Sequence, residues 1–399
     1  MKKSLSNKIL EFNESPTLAL TAQAMQLQRQ GIDVISLTAG EPDFPTPVHI
    51  KQEAIRALEE NFTHYTPNNG IPELREAIAH KLLNENGVRF TPEEIVVTTG
   101  AKAALFMALQ ALCSAGDEVL IPAPFYVSYP DMVKLAGAAP VILPSTCESG
   151  FRITAEQLAK AVTPRTKAFI LCSPSNPTGV VYTRDELEEF AKVAFETGIF
   201  IITDEIYEKI LYDGVRHYSI GAFDSIRDQV VTVNGASKAF AMTGWRIGYL
   251  GARRDIARAA AKVQSQVTGN ANSIAQRATV AALTGPTGEM EQMVAEFTRR
   301  RDYITGVFRT IPDVHFVTPQ GAFYLFICVG KYFGRETDGT PVNNSVALCS
   351  YFLERFRIAC VPGSAFGNDR CIRLSFTSSM ENLQNAVARL TEGFRALRV

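Results

Sequence analysis

Net charge is nearly absent from this 399-residue chain: 40 lysines and arginines face 41 aspartates and glutamates, leaving a formal net charge of -1. That balance offers no electrostatic case for nucleic acid or an anionic membrane, so the expected partners are small molecules or protein. Long hydrophobic runs are missing too. No stretch approaches the ~20 apolar residues that a bilayer span requires. Behind Lys2 and Lys3, the polar residues Asn7, Lys8, Glu11, Asn13 and Glu14 interrupt anything resembling a signal peptide, so a cytoplasmic location is expected. The seven cysteines (113, 147, 172, 328, 349, 360 and 371) include no C-x-x-C pair, and the five histidines are scattered. Reduced thiols, no metal site and no histidine-based triad follow as expectations. No repeat or low-complexity tract divides the chain, and with 46% hydrophobic and 20% charged residues it can bury an ample core.

What is present is organised as an α/β chain. Residues 1–45 read as an N-terminal arm: a helical pattern from Thr21 to Gln30, a short strand Val34 to Leu37, then Ala39-Gly-Glu-Pro-Asp-Phe-Pro, a fixed turn with bare backbone at Gly40. Helices are expected at His49 to Glu59 and Ile71 to Asn86, with a polar loop from Thr63 to Gly70 between them. Short apolar strands then recur at Ile95 to Val97, Glu118 to Ile121, Lys167 to Cys172, Ile199 to Thr203, Val230 to Val233 and Ile247 to Leu250. Most are separated by helical patterns, and capping boxes stand at Thr91 to Glu94, Thr154 to Gln157 and Thr183 to Glu186. Fully apolar strands alternating with helices imply a mainly parallel sheet covered on both faces. One long helical segment, Asp255 to Leu283, precedes a breaker at Thr284 to Gly288. From Glu289 helices and a few strands suggest a smaller α+β unit that includes part of the arm. The expected division is 1–45 arm and part of the small domain, 46–288 large domain and 289–399 small domain, with a ligand between the two domains.

In open α/β sheets the ligand site lies outside the carboxyl ends of the strands. The residues just past those ends form one candidate site: Gly100-Ala101-Lys102, Tyr126, Asn176, Asp204 with Tyr207, and Ser237-Lys238 with Arg246 following. Lys238 stands among small residues after an apolar strand, where desolvation lowers an amine's pKa and makes it a nucleophile. Asp204 ends a strand, where a carboxylate without a cationic partner is costly. Each residue has a plainer reading: a solvated lysine, a helix-capping aspartate, a turn asparagine, a core tyrosine. Together they match what pyridoxal phosphate needs. Lys238 offers the amine, Asp204 a partner for the ring nitrogen, and Tyr207 and Asn176 donors for the phenolic oxygen. The amides of Gly100 and Ala101 at a helix N-terminus, with Arg246, suit the phosphate.

Ser237-Lys238 with Arg246, Ser175 to Gly179, Asp204 to Tyr207, Gly40 to Phe44 and Ile372 to Ser375 resemble, over essentially the whole chain, the class I aminotransferases of fold type I, in particular their bacterial aspartate aminotransferase branch. That resemblance implies a large domain with a mainly parallel seven-stranded sheet between helices and a smaller α+β domain. It implies a homodimer in which Tyr65 reaches the phosphate of the partner subunit's cofactor. It also implies that Gly40, Asn176 and Arg373 hold the substrate's α-carboxylate. Tyr126 stands where the family often has a ring-stacking tryptophan, and Gly235 where it often has a phosphate-binding serine. Lys102 matches a lysine associated with the substrate's distal carboxylate, and Ser15 and Thr17 match residues that close over it.

The implied reaction is ping-pong transfer of the amino group of an L-amino acid, aspartate first, to 2-oxoglutarate. Aromatic amino acids and prephenate remain alternatives, as does another pyridoxal phosphate reaction on the same residues. A non-catalytic ligand-sensing domain is a remote reading, because such proteins add a basic DNA-binding unit. No strand is followed by G-x-G-x-x-G, which disfavours a hydride-transferring dehydrogenase.

Overall fold

The fold was obtained as a computed structural model, which describes residues 16–337 and 340–397. In chain order it contains α1 (Pro16–Arg29), β1 (Ile35–Ser36), α2 (Val48–Glu59), α3 (Pro72–Asn86), β2 (Ile95–Thr98), α4 (Ala101–Leu112), β3 (Glu118–Pro122), α5 (Tyr129–Leu135) and β4 (Ala139–Leu143). There follow α6 (Ala155–Ala161), β5 (Thr166–Cys172), α7 (Arg184–Thr197), β6 (Phe200–Asp204), β7 (Val230–Gly235), β8 (Gly248–Ala252), α8 (Arg254–Val267), α9 (Ser273–Thr284) and α10 (Gly288–Phe308). The chain ends with β9 (His315–Phe316), β10 (Tyr324–Cys328), β11 (Glu336–Thr337), β12 (Thr340–Pro341), α11 (Ser345–Phe356), β13 (Ile358–Ala359), β14 (Val361–Pro362), β15 (Cys371–Ser375) and α12 (Met380–Ala396).

Seven strands form one sheet in the order β2-β8-β7-β6-β5-β3-β4. All contacts are parallel except those of β8, which runs antiparallel to both β2 and β7. Successive side chains of a strand face opposite sides of a sheet, and here both sides are apolar. On one, Val96, Val119, Ile121, Ile170, Ile202 and Val231 pack with α4 and α8. On the other, Leu120, Phe169, Leu171 and Ile201 pack with α7, and Ile95 and Val97 with α3. That double coverage is why the strands read as unbroken hydrophobic runs. The helices begin where the capping chemistry puts them: Thr154 and Thr183 accept from the backbone amides of Gln157 and Glu186, which answer with their side chains. The same box at Thr91 closes only a single turn, Pro92–Glu94, before β2 begins.

Two features depart from the sequence reading. Strand β4 lies beyond the six apolar runs, because it is a half-exposed edge strand containing Pro140, and edges are where a residue without an N–H is tolerated. The single long helix expected from Asp255 to Leu283 is two helices, α8 and α9. The chain breaks at Thr268-Gly-Asn-Ala-Asn, and the Asn272 side chain restarts it by accepting from the amide of Ala275.

A four-stranded antiparallel sheet, β14-β15-β10-β9, packs with α10, α11 and α12 around a second core that includes Phe297, Phe323, Phe352 and Phe394. Strand β1 joins this part of the molecule, pairing in parallel with β13 through Ile35 and Ile358. Among the described residues no helix is long and apolar enough to cross a membrane.

Candidate active site

The parallel strands deliver their carboxyl ends to one edge of the sheet, so Asp204 at the end of β6 sits beside Cys172 of β5 and Val233 of β7. Because β8 runs the other way, the residues entering it, Arg246 among them, arrive at that same edge. Gly100 caps α4 with φ 84°, a left-handed conformation natural to glycine. The Arg246 guanidinium lies against it so closely that a Cβ on residue 100 would be 2.4 Å from Nη2. Gly248 is equally constrained, since a Cβ there would lie 2.2 Å from the amide nitrogen of Ala101. The result is an open helix N-terminus with a guanidinium folded over it, a natural cradle for an anion.

Asp204 is buried. Its Oδ2 accepts a hydrogen bond from the Tyr129 hydroxyl at 2.7 Å, and its Oδ1 accepts from the Ile206 amide at 3.3 Å. Burial outweighs both and raises its pKa to about 6. Among the described residues no basic side chain forms an ion pair with it. Lys238 follows β7; its ammonium donates to the Gly40 carbonyl and lies 5.9 Å from the ring centroids of both Tyr207 and Phe323. Burial lowers its pKa to about 8, the pull of Glu41 being offset by Arg246 and Arg373. A free amine is therefore accessible near neutral pH.

Arg373, on β15, is buried with no carboxylate partner among the described residues. It donates from Nη1 to Asn176 Oδ1 at 3.1 Å and from Nη2 to the Thr38 carbonyl at 2.8 Å, while its Nε has no partner. It lies 4.4 Å above the Tyr324 ring, whose hydroxyl bonds that of Tyr207 at 2.8 Å. Burial pulls its pKa down, as expected for a guanidinium that lacks an anion.

The structure thus joins Gly40 and Tyr207 to Lys238, and Asn176 to Arg373, with Tyr324 linking Tyr207 to Arg373; Arg246 lies against Gly100, next to Ala101. Buried Ser237 precedes Lys238. Tyr126 stacks edge-on against Tyr129 at 5.4 Å, and exposed Lys102 holds its ammonium 5.5 Å above the Tyr126 ring. Tyr65 is not drawn in; it is 98% exposed. Ser15 lies outside the described residues, and Thr17 falls in the first turn of α1, where only the backbone is described. Sequence reasoning missed Tyr129, Tyr324 and Thr38. Tyr129 carries a faint signal, a phenol three residues after Tyr126; the other two carry none.

Behind Asp204, Glu205 accepts from Ser219 at 2.6 Å and contacts His217 Nε2 at 3.2 Å, while Glu208 takes the Lys81 ammonium and Asn86. Glu205, Glu208 and His217 could together ligate a cation, but Lys81 already supplies a positive charge to that cluster.

A buried carboxylate without a cation, a buried guanidinium without an anion and an amine that feels both leave two charges here for a bound small molecule to meet. Comparison with known proteins gives the family. Residues 32–390 match the family described as aminotransferase class I and II. A bifunctional aspartate aminotransferase and glutamate/aspartate-prephenate aminotransferase from Petunia hybrida is 47% identical over 400 residues, covering 99% of this chain and 84% of that protein. The aspartate aminotransferase of Rhizobium meliloti superposes with a TM-score of 0.96 at 40% identity, covering 99% of this chain and all of that one. The Thermus thermophilus aspartate aminotransferase solved with maleate gives 0.93 at 42% identity, over 98% of this chain and all of that one. The chain belongs to the class I and II aminotransferases, and it is a transaminase.

Proposed function

We propose that this transaminase uses pyridoxal phosphate to move the amino group of L-aspartate to 2-oxoglutarate by a ping-pong mechanism. The observation that carries the reading is the pair of unmatched buried charges, Asp204 and Arg373, both of which act electrostatically on Lys238. The residues present fit the cofactor. Gly100, Ala101, Ser237 and Arg246 would hold the phosphate, Asp204 would keep a proton on the ring nitrogen, Tyr207 and Asn176 would donate to the ring oxygen, and Tyr126 would lie on the ring face. When bound, the group supplies an electron sink for negative charge developing at the substrate's α-carbon. Arg373, with Asn176 and Gly40, orients the α-carboxylate by two-pronged donation. Lys238, with an amine pKa of about 8, is matched to taking, holding and moving the proton of the substrate's α-carbon.

Preference for a dicarboxylic donor rests on Lys102, whose ammonium forms no ion pair among the described residues, and on the dicarboxylate maleate in the Thermus thermophilus structure. Thr17 would close over the same end of the substrate. Prephenate as amino acceptor is a second reading, favoured by the bifunctional Petunia hybrida relative. The same proposal includes a homodimer, in which fully exposed Tyr65 reaches the partner's cofactor phosphate. It includes a cytoplasmic location, consistent with seven unpaired cysteines. It also keeps the division at 45/46 and 288/289, supported by the pairing of β1 with β13.

Borohydride reduction of the cofactor-loaded protein, followed by peptide mapping, is the direct test. The label is expected on Lys238, and Lys238→Ala should fold, take up no label and lose transamination. A label on another lysine would sink the assignment.

A further inference from the structure

Three thiols converge where the small sheet meets the loop after β4, outside the site described above. Cys328 ends β10, Cys371 begins β15, and the two are directly opposed in register with their sulfurs 3.3 Å apart. The hydrogen-bond pattern identifies what kind of pair this is. The amide of Val329 donates to the Arg370 carbonyl and that of Phe376 to the Phe323 carbonyl, so the bonded pairs alternate and Cys328 and Cys371 form a non-hydrogen-bonded pair between them. In antiparallel sheets such pairs bring the Cα atoms to about 4.5 Å, inside the range a disulfide spans. The third thiol, Cys147, packs with Cys328 against the small apolar cluster that contains Cys371. It stands in a tight turn closed by bonds from Gly150 to Cys147 and from Phe151 to Thr146. Cys147 and Cys328 are partly exposed, whereas Cys371 is buried.

We propose that Cys147, Cys328 and Cys371 form an oxidation site in which a peroxide enters at Cys147 or Cys328 and the final product is a Cys328–Cys371 disulfide clasping β10 to β15. The steps balance. Entering at Cys147, hydrogen peroxide oxidises the thiol to a sulfenic acid and leaves as water. The Cys328 sulfur then attacks the Cys147 sulfur, expelling the second water and forming a Cys147–Cys328 bond. Cys371 attacks Cys328, and Cys147 departs as a thiol, carrying the proton. Two thiols lose two electrons, and one peroxide becomes two waters. Contact with Cys328, followed by burial, holds the Cys147 thiol above the usual range. Thiolate is therefore scarce and the first step slow at neutral pH.

The clasp bears on the site because Cys371 and Arg373 lie two apart on β15 and so share a face. Phe366 packs against Phe326 at 5.8 Å, next to the thiols, and carries the Arg373 guanidinium 4.9 Å above its ring. A second thiol pair, Cys349 and Cys360 at 3.4 Å, is fully buried in the small core and gives an internal control without access to solvent.

The test treats the cofactor-loaded protein with excess hydrogen peroxide, then quenches, alkylates and maps disulfides by mass spectrometry, alongside a thiol titration in denaturant. Two thiols per chain should be lost, restored by dithiothreitol, with the bond mapped to Cys328 and Cys371. Cys371→Ser should stop at a Cys147–Cys328 bond, an intermediate that needs only the two partly exposed thiols. A bond mapped to Cys349 and Cys360, a bond between chains, or no thiol loss under conditions that oxidise a small dithiol would each overturn the proposal. Mapping on the unaltered protein keeps the test valid if a variant misfolds.

Discussion

Replacing Asp204 by asparagine should make the cofactor-free protein more stable while destroying its activity, and the size of the gain can be worked from the site. Burial raises Asp204 from 3.8 to about 6, a shift of about two units, which corresponds to about 3 kcal/mol. The folded value lies above the unfolded one, so the protonated carboxyl favours the fold. That contribution is complete below about pH 4 and is lost as pH rises through about 6. Above pH 6 the cofactor-free chain therefore holds an ionised, buried carboxylate at a deficit of about 3 kcal/mol. Asparagine keeps the shape, still meets the Tyr129 hydroxyl and the Ile206 amide, and carries no charge. Urea unfolding of the cofactor-free forms at pH 8 should find Asp204→Asn more stable by up to about 3 kcal/mol, with the difference vanishing near pH 4. With cofactor and substrates, turnover should fall about a hundredfold or more, the loss expected when one charge aimed at the reacting system is removed. Equal stability at pH 8, or a difference that does not depend on pH, would refute the reasoning that this carboxylate is poised for a cationic ring.

Tyr129→Phe removes the 2.7 Å hydrogen bond to Asp204, so the carboxyl should titrate higher and the acid limb of the kcat–pH profile should move upward; an unmoved limb would show that Tyr129 does not act on Asp204. Lys102→Ala, assayed with a panel of donors, should raise KM for aspartate and glutamate about tenfold while leaving monocarboxylic donors nearly unchanged, the loss of one substrate ion pair; equal losses across the panel would count against a distal-carboxylate role. For His217, burial is outweighed by Glu205 and then Glu208, which raise its pKa. Its folded value thus lies above the unfolded one, so its stabilisation is complete below about pH 6.5 and disappears as pH rises through the folded value. Unfolding of wild type and His217→Gln between pH 5 and 9 should converge at high pH and separate at low pH, and parallel curves would exclude the linkage.

The residues that end strands were legible in the sequence because they are local. An apolar run identifies its own strand, and the residues after it must emerge at the sheet edge, which places Gly100, Asn176, Asp204 and Lys238 on one rim. The edge strand β4 escaped the same reasoning because half of it faces solvent and Pro140 breaks the pattern, and the helix break at residues 268–272 is made by one asparagine cap. What sequence could not supply were contacts between residues far apart in the chain. Tyr129 and Asp204 are 75 positions apart, Tyr207 and Tyr324 are 117, and Thr38 and Arg373 are 335. No periodicity encodes those distances; they exist only once two cores have packed and brought β10 and β15 against the strand ends. Residue chemistry and strand order thus determined which groups stand at the strand ends. Tertiary packing decided their states, because burial sets the pKa values of Asp204 and Lys238 and leaves Arg373 without an anion.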